Sequence, residues 1–167
     1  MRYHVAAMTR LADRVQGFVQ SDIRRMSREC ERVAKLYFEI EKADLDWQVP
    51  LILLPKHKAK LLMNMLLIAA MAVPRGGLVT VKVEGAAGEE RFVLTSTSDP
   101  EKRQKTLMPS GAEGLLFGSP EGGVDARGIQ PFYTGILARM TDMELKIGVE
   151  GDTFTFTATP KALTAAA

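Results

Sequence analysis

Apolar positions along the chain switch between helical and strand spacing, and the switches divide it into elements. Met8, Leu11, Val15 and Phe18 recur at intervals of 3, 4 and 3, which places them on one face of a helix. Ile23, Met26, Cys30, Val33, Tyr37 and Ile40 continue at 3, 4, 3, 4 and 3 and predict a second helix, with Ser21 or Asp22 as the cap between the two. From residue 44 the period changes. Leu45, Trp47 and Val49 alternate as a half-buried strand, Pro50 and Pro55 bracket a short apolar run, and Pro55 is placed to open a helix that continues to Val73, where Pro74, Gly76 and Gly77 stop it. Leu78 to Glu84 and Arg91 to Ser98 alternate on either side of a turn at Gly85 to Gly88 and predict a hairpin. Asp99 to Val124 is rich in Gly, Pro and Ser and reads as loop with one helical turn at Leu115, Leu116 and Phe117. A helix from about Gly128 to Met140 follows, then a second hairpin, Glu144 to Val149 and Thr153 to Thr159, around Gly151 and Asp152.

This order predicts an α+β fold: an N-terminal helical segment over 1–20, then, over 21–167, a mixed sheet covered on one face by helices. With 167 residues, 46% hydrophobic and 25% charged, the composition is that of a globular domain and excludes disorder and low complexity. A single cysteine allows no internal disulfide and suits a reducing cytoplasm. The longest apolar stretch, Leu61 to Val73, is 13 residues with Asn64 inside it, short of the roughly 20 needed to cross a bilayer. No secretory leader is read at the N-terminus, and the expected location is the cytoplasm.

Net charge is +2, and the excess is local: residues 1–35 hold eight Lys/Arg against four Asp/Glu. Arg24, Arg25, Arg28 and Arg32 share a helical neighbourhood, but no helix-turn-helix spacing, finger or aromatic platform accompanies them, so a solvated face is favoured over an acidic protein partner, and that over nucleic acid. The apolar seam ending at Ile40 serves either the core of the chain or a helical dimer interface. Cys30 lies on that seam with no histidine or lysine at helical distance to activate it, and is read as a small buried hydrophobe. Trp47 is expected to bury against the long helix. Phe132, Ile136 and Met140 share a face expected to be core, and Gln130 and Tyr133 lie off it, as candidates for a partner interface.

The helix around Asn64, followed by Pro74-Arg-Gly-Gly and a strand, resembles the first motif of the histidine-kinase type of ATP-binding (Bergerat-like) fold. That motif carries two asparagines one turn apart, the second of which can hold the magnesium on the nucleotide. Asn64 matches the first and Ile68, whose alkyl chain cannot coordinate a metal, stands at the second. The next motif needs an aspartate and two glycines. Here Asp99 is followed by Pro100, and no glycine occurs before Gly111. The resemblance thus implies the architecture of a kinase ATP domain with vestigial positions at Asn64, Ile68 and Asp99, no catalytic or metal residue, and no cofactor.

The segments Ala34-Lys-Leu-Tyr-Phe38 to Leu45-Asp-Trp47, Leu61-Leu62-x-Asn64 to Pro74-x-Gly-Gly, and Asp125-Ala126-x-x-Ile129-Gln130-Pro131-Phe132-Tyr133-x-x-Ile136-Leu137-Ala138 resemble the ChpT-like family of bacterial histidine phosphotransferases, chiefly its C-terminal domain. The resemblance implies a phosphorelay intermediate: a homodimer whose helical bundle bears a phosphorylatable histidine, beside a degenerate ATPase-like domain that does not bind ATP. Phosphate would pass from the receiver domain of a hybrid histidine kinase to that histidine and on to response regulators, with no membrane partner. The family's His-Asp string is absent. His4 lies in Tyr3-His4-Val5 and His57 between Lys56 and Lys58. Either the acceptor helix lies outside these residues or phosphotransfer is lost, and a noncatalytic docking or dimerisation module is the alternative reading.

Overall fold

The computed structural model describes residues 24–118 and 123–162. The helical segment expected over 1–20 and the caps Ser21 and Asp22 fall outside them. A short strand β1 (Arg24–Met26) leads into α1 (Ser27–Phe38), then β2 (Asp44–Gln48), β3 (Leu53–Pro55) and the long helix α2 (Lys56–Met71). Strands β4 (Gly77–Glu84) and β5 (Arg91–Ser98), a 3-10 turn (Pro100–Lys102), the short α3 (Ala112–Leu116), α4 (Ile129–Met140), and strands β6 (Met143–Glu150) and β7 (Thr153–Pro160) complete the order.

Five strands form a mixed sheet in the order β2-β4-β5-β7-β6, with β2 and β4 parallel and the other pairs antiparallel. Strict alternation in β4 turns Val79, Val81 and Val83 toward the helices, and the register continues this row through Phe92, Leu94, Phe154, Phe156 and Ala158. Threonines and charged residues, among them Thr95, Thr155 and Lys146, take the other face. The helices lie on one side, and α2 is the centre of the layer. Leu61, Leu62, Met65, Leu66 and Ile68 on α2 are at most 1% exposed, because this helix touches the sheet below and α1 and α4 beside it. This is the α+β sandwich expected from the order of elements.

The second helix starts later than its spacing predicts. Arg24–Met26 pairs antiparallel with Leu53–Pro55, so Met26 belongs to a strand. Ser27 ends that strand: its amide donates to the Ile52 carbonyl (2.9 Å), its hydroxyl donates to the Pro50 carbonyl (2.7 Å), and the hydroxyl oxygen accepts from the Ile52 amide (3.0 Å). Within α1 the seam residues Cys30 and Tyr37 are buried in the chain's own core with Val33 partly buried against it, and Ala34 and Phe38, beside the seam, are buried as well. Ile40, past the helix end, is 59% exposed. Trp47 is only half-buried, because β2 is an edge strand with no strand on its outer side among the described residues.

The hairpin β4–β5 is pinned to α2 by a buried ion pair. Lys58 Nζ donates to Glu90 Oε2 at 2.9 Å and to the Gly88 carbonyl at 3.3 Å, while Glu90 Oε1 accepts from the Gly88 amide at 2.9 Å. The segment after β5 is pinned as well. Thr106 Oγ1 accepts from the Ser98 amide and donates to the Asp152 carbonyl, and the Leu107 amide donates to the Ala72 carbonyl.

Candidate functional site

In the kinase-like fold the candidate site is the seam between α2 and α4, and here it is closed. Asn64 on α2 is buried at 7% exposure, and both ends of its amide are bonded: Nδ2 donates to the Lys60 carbonyl one turn back (2.8 Å), and Oδ1 accepts from Gln130 Nε2 on α4. One turn along the same seam, Lys60 Nζ sits 5.5 Å from the centroid of the Tyr133 ring, within range of a cation–π contact. Since Lys60 meets Tyr133 and Asn64 meets Gln130, the two helices run antiparallel.

Ile68, one turn beyond Asn64, is fully buried, and the two α2 side chains whose polar atoms meet α4 are Lys60 and Asn64. Asp99 is engaged in its own turn: Oδ1 accepts from the Glu101 amide (3.0 Å) and Oδ2 lies 3.9 Å from Lys102 Nζ. The structure therefore brings Asn64 together with Gln130, and Tyr133 beside them, while Ile68 and Asp99 are spent elsewhere. A magnesium-nucleotide does not fit this set. Asn64 Oδ1, the atom that would face a metal, accepts from the Gln130 amide, and Ile68 offers no lone pair. Asp125 is engaged in the turn that leads into α4, its Oδ1 accepting from the Gly128 amide (2.8 Å) and the Arg127 amide (3.0 Å). No group of three or more His, Cys, Asp or Glu suited to a metal occurs among the described residues.

Around the seam, α3 is clamped to α4. A Cβ built on Gly135 would lie 2.3 Å from the Leu116 carbonyl oxygen, so only glycine lets the backbone of α3 approach this closely. Arg139 Nη1 donates to the same oxygen at 3.4 Å. The face of α4 turned inward is accordingly Pro131, Thr134, Gly135, Leu137 and Ala138, all buried. The row Phe132, Ile136 and Met140, expected to be core, instead faces outward: the first two are half-buried and Met140 is 60% exposed. The helix is apolar on both sides, so spacing alone does not choose between them, and the close approach of α3 at Gly135 does. His57 is exposed in the first turn of α2, and His4 lies outside the described residues.

Comparison with known proteins agrees with this kinase-like frame and narrows it. The family model for the histidine phosphotransferase C-terminal domain matches residues 27–153. The chain belongs to that family. It is 38% identical over 130 residues to the protein phosphotransferase ChpT of Brucella abortus (strain 2308), a match that covers 78% of this chain and 60% of that protein. The chain thus spans less than two thirds of that relative. Among solved structures it is similar to a bacterial phosphotransferase, with TM-score 0.79 and 34% identity over 92% of this chain and 72% of the other. The histidine kinase AdeS of Acinetobacter baumannii, at 11% identity and TM-score 0.55 over 95% of this chain and 77% of the other, shares the fold alone.

Within this histidine phosphotransferase domain, Lys60 and Gly135 are the two site residues that sequence spacing missed. Lys60 stands one turn before Asn64, as Ile68 stands one turn after it, and only burial distinguishes them. Gly135 carried a signal of its own, a glycine inside a helical pattern, which often marks close backbone approach. No helix among the described residues is long and apolar enough to cross a membrane.

Proposed function

We propose that this chain is the kinase-like domain of a histidine phosphotransferase in a two-component phosphorelay, that it acts as a homodimer, and that it serves phosphate passage between receiver-domain aspartates without using ATP. The observation that carries the reading is the Asn64–Gln130 bond: in a member of the phosphotransferase family, the one motif asparagine that remains is spent on joining two helices, and Ile68 stands where the motif would hold a metal. What remains is a rigid platform beside which a histidine on a helical bundle could meet a receiver. Neutral imidazole attacks an acyl phosphate, and the phosphoramidate formed can donate to a second carboxylate. Gln130 and Tyr133 stand at the edge of that platform.

The test is calorimetric titration of the whole chain with receiver domains from the hybrid kinases and response regulators of its own organism, and separately with magnesium-ATP at millimolar concentration. The expected result is saturable micromolar binding of at least one receiver and no nucleotide heat. Absence of receiver binding across the set, or a saturable magnesium-dependent nucleotide heat, overturns the reading. A phosphorylated receiver should also be mixed with the chain: label transferred in acid-labile, base-stable form marks a histidine acceptor within these residues, and binding without transfer marks a docking role.

A further inference from the structure

We draw no further inference here: the strongest candidate, the open cavity of about 540 Å³ between the start of α3 and the turn into α4, lined by Ser110, Leu115, Val124, Asp125 and Arg127, reaches Gly123 beside residues 119–122, which lie outside the described ones, and nothing in the structure shows what fills it.

Discussion

Replacing Gly135 by alanine should destabilise the domain, although the same change in an unobstructed helix stabilises it. Alanine ordinarily gains about 1 kcal/mol over glycine in a helix interior. At Gly135 the new methyl would sit 2.3 Å from the Leu116 carbonyl oxygen, 3.0 Å from its carbonyl carbon and 3.2 Å from its Cα. Comfortable carbon contacts begin near 3.5 Å, so α3 must withdraw by about 1 Å. All three obstructing atoms are backbone and cannot rotate aside. Withdrawal opens the packing of Ala112 and Leu116, which are 0% and 1% exposed. Overpacking costs about 1 to 3 kcal/mol, and with backbone atoms in the way the upper part of that range, about 2 to 3, applies; after the propensity gain of about 1 a net loss of about 1 to 2 kcal/mol is expected. For a chain of this size that is roughly a 3 to 6 °C fall in melting temperature. Urea and thermal unfolding followed by circular dichroism measure it. Gly114→Ala within α3 is the companion, since a Cβ there meets nothing within 4 Å, and it should be neutral or stabilising. If Gly135→Ala proves as stable as the unsubstituted chain, α3 does not rest on α4 and the account of the clamp fails.

The buried pair Lys58–Glu90 predicts a pH dependence. Burial pushes the Glu90 carboxyl upward, but the Gly88 amide and the Lys58 side chain outweigh it and hold it below the usual glutamate range. A carboxyl lowered on folding stabilises above its unfolded pKa of about 4.3, and that contribution disappears as pH falls through the folded value; acid titration of the melting temperature should therefore show a loss that Glu90→Gln lacks. Lys58→Met, which strands the carboxylate, should cost about 3 kcal/mol at neutral pH, read by urea unfolding. For Asn64 and Gln130, single alanine substitutions should each cost about 1 to 3 kcal/mol by leaving a polar group unpaired, and the double variant should cost less than their sum; additive costs in a double-mutant cycle would show that the two amides do not interact. Trp47→Ala should cost about 2 kcal/mol, below the roughly 3 to 5 of a fully buried aromatic, because Trp47 is only partly buried.

Spacing alone determined the helix from Pro55 to the residues before Pro74, both hairpins and their glycine turns, and a mixed sheet covered on one side by helices. Each of these rests on local physics: alternation in β4 and β5, proline at a helix start, and at Gly151 a φ of +60° that glycine adopts without strain. The motif around Asn64 was equally local and pointed to the kinase-like frame. What only the tertiary structure decided is where two surfaces meet. Met26 fits a helical seam as well as a strand, and Ser27 settles the choice by bonding to Pro50 and Ile52, more than twenty residues away. Lys60 and Ile68 are equally spaced from Asn64, and the position of α4 makes one a neighbour of Tyr133 and leaves the other in the core. Along α4 itself, apolar residues occur all round the helix, so its pattern has no preferred inward side. The side is chosen by Gly135, the place where the backbone of α3 can come closest, and that choice turns Ile129, Ile136 and Met140 toward solvent.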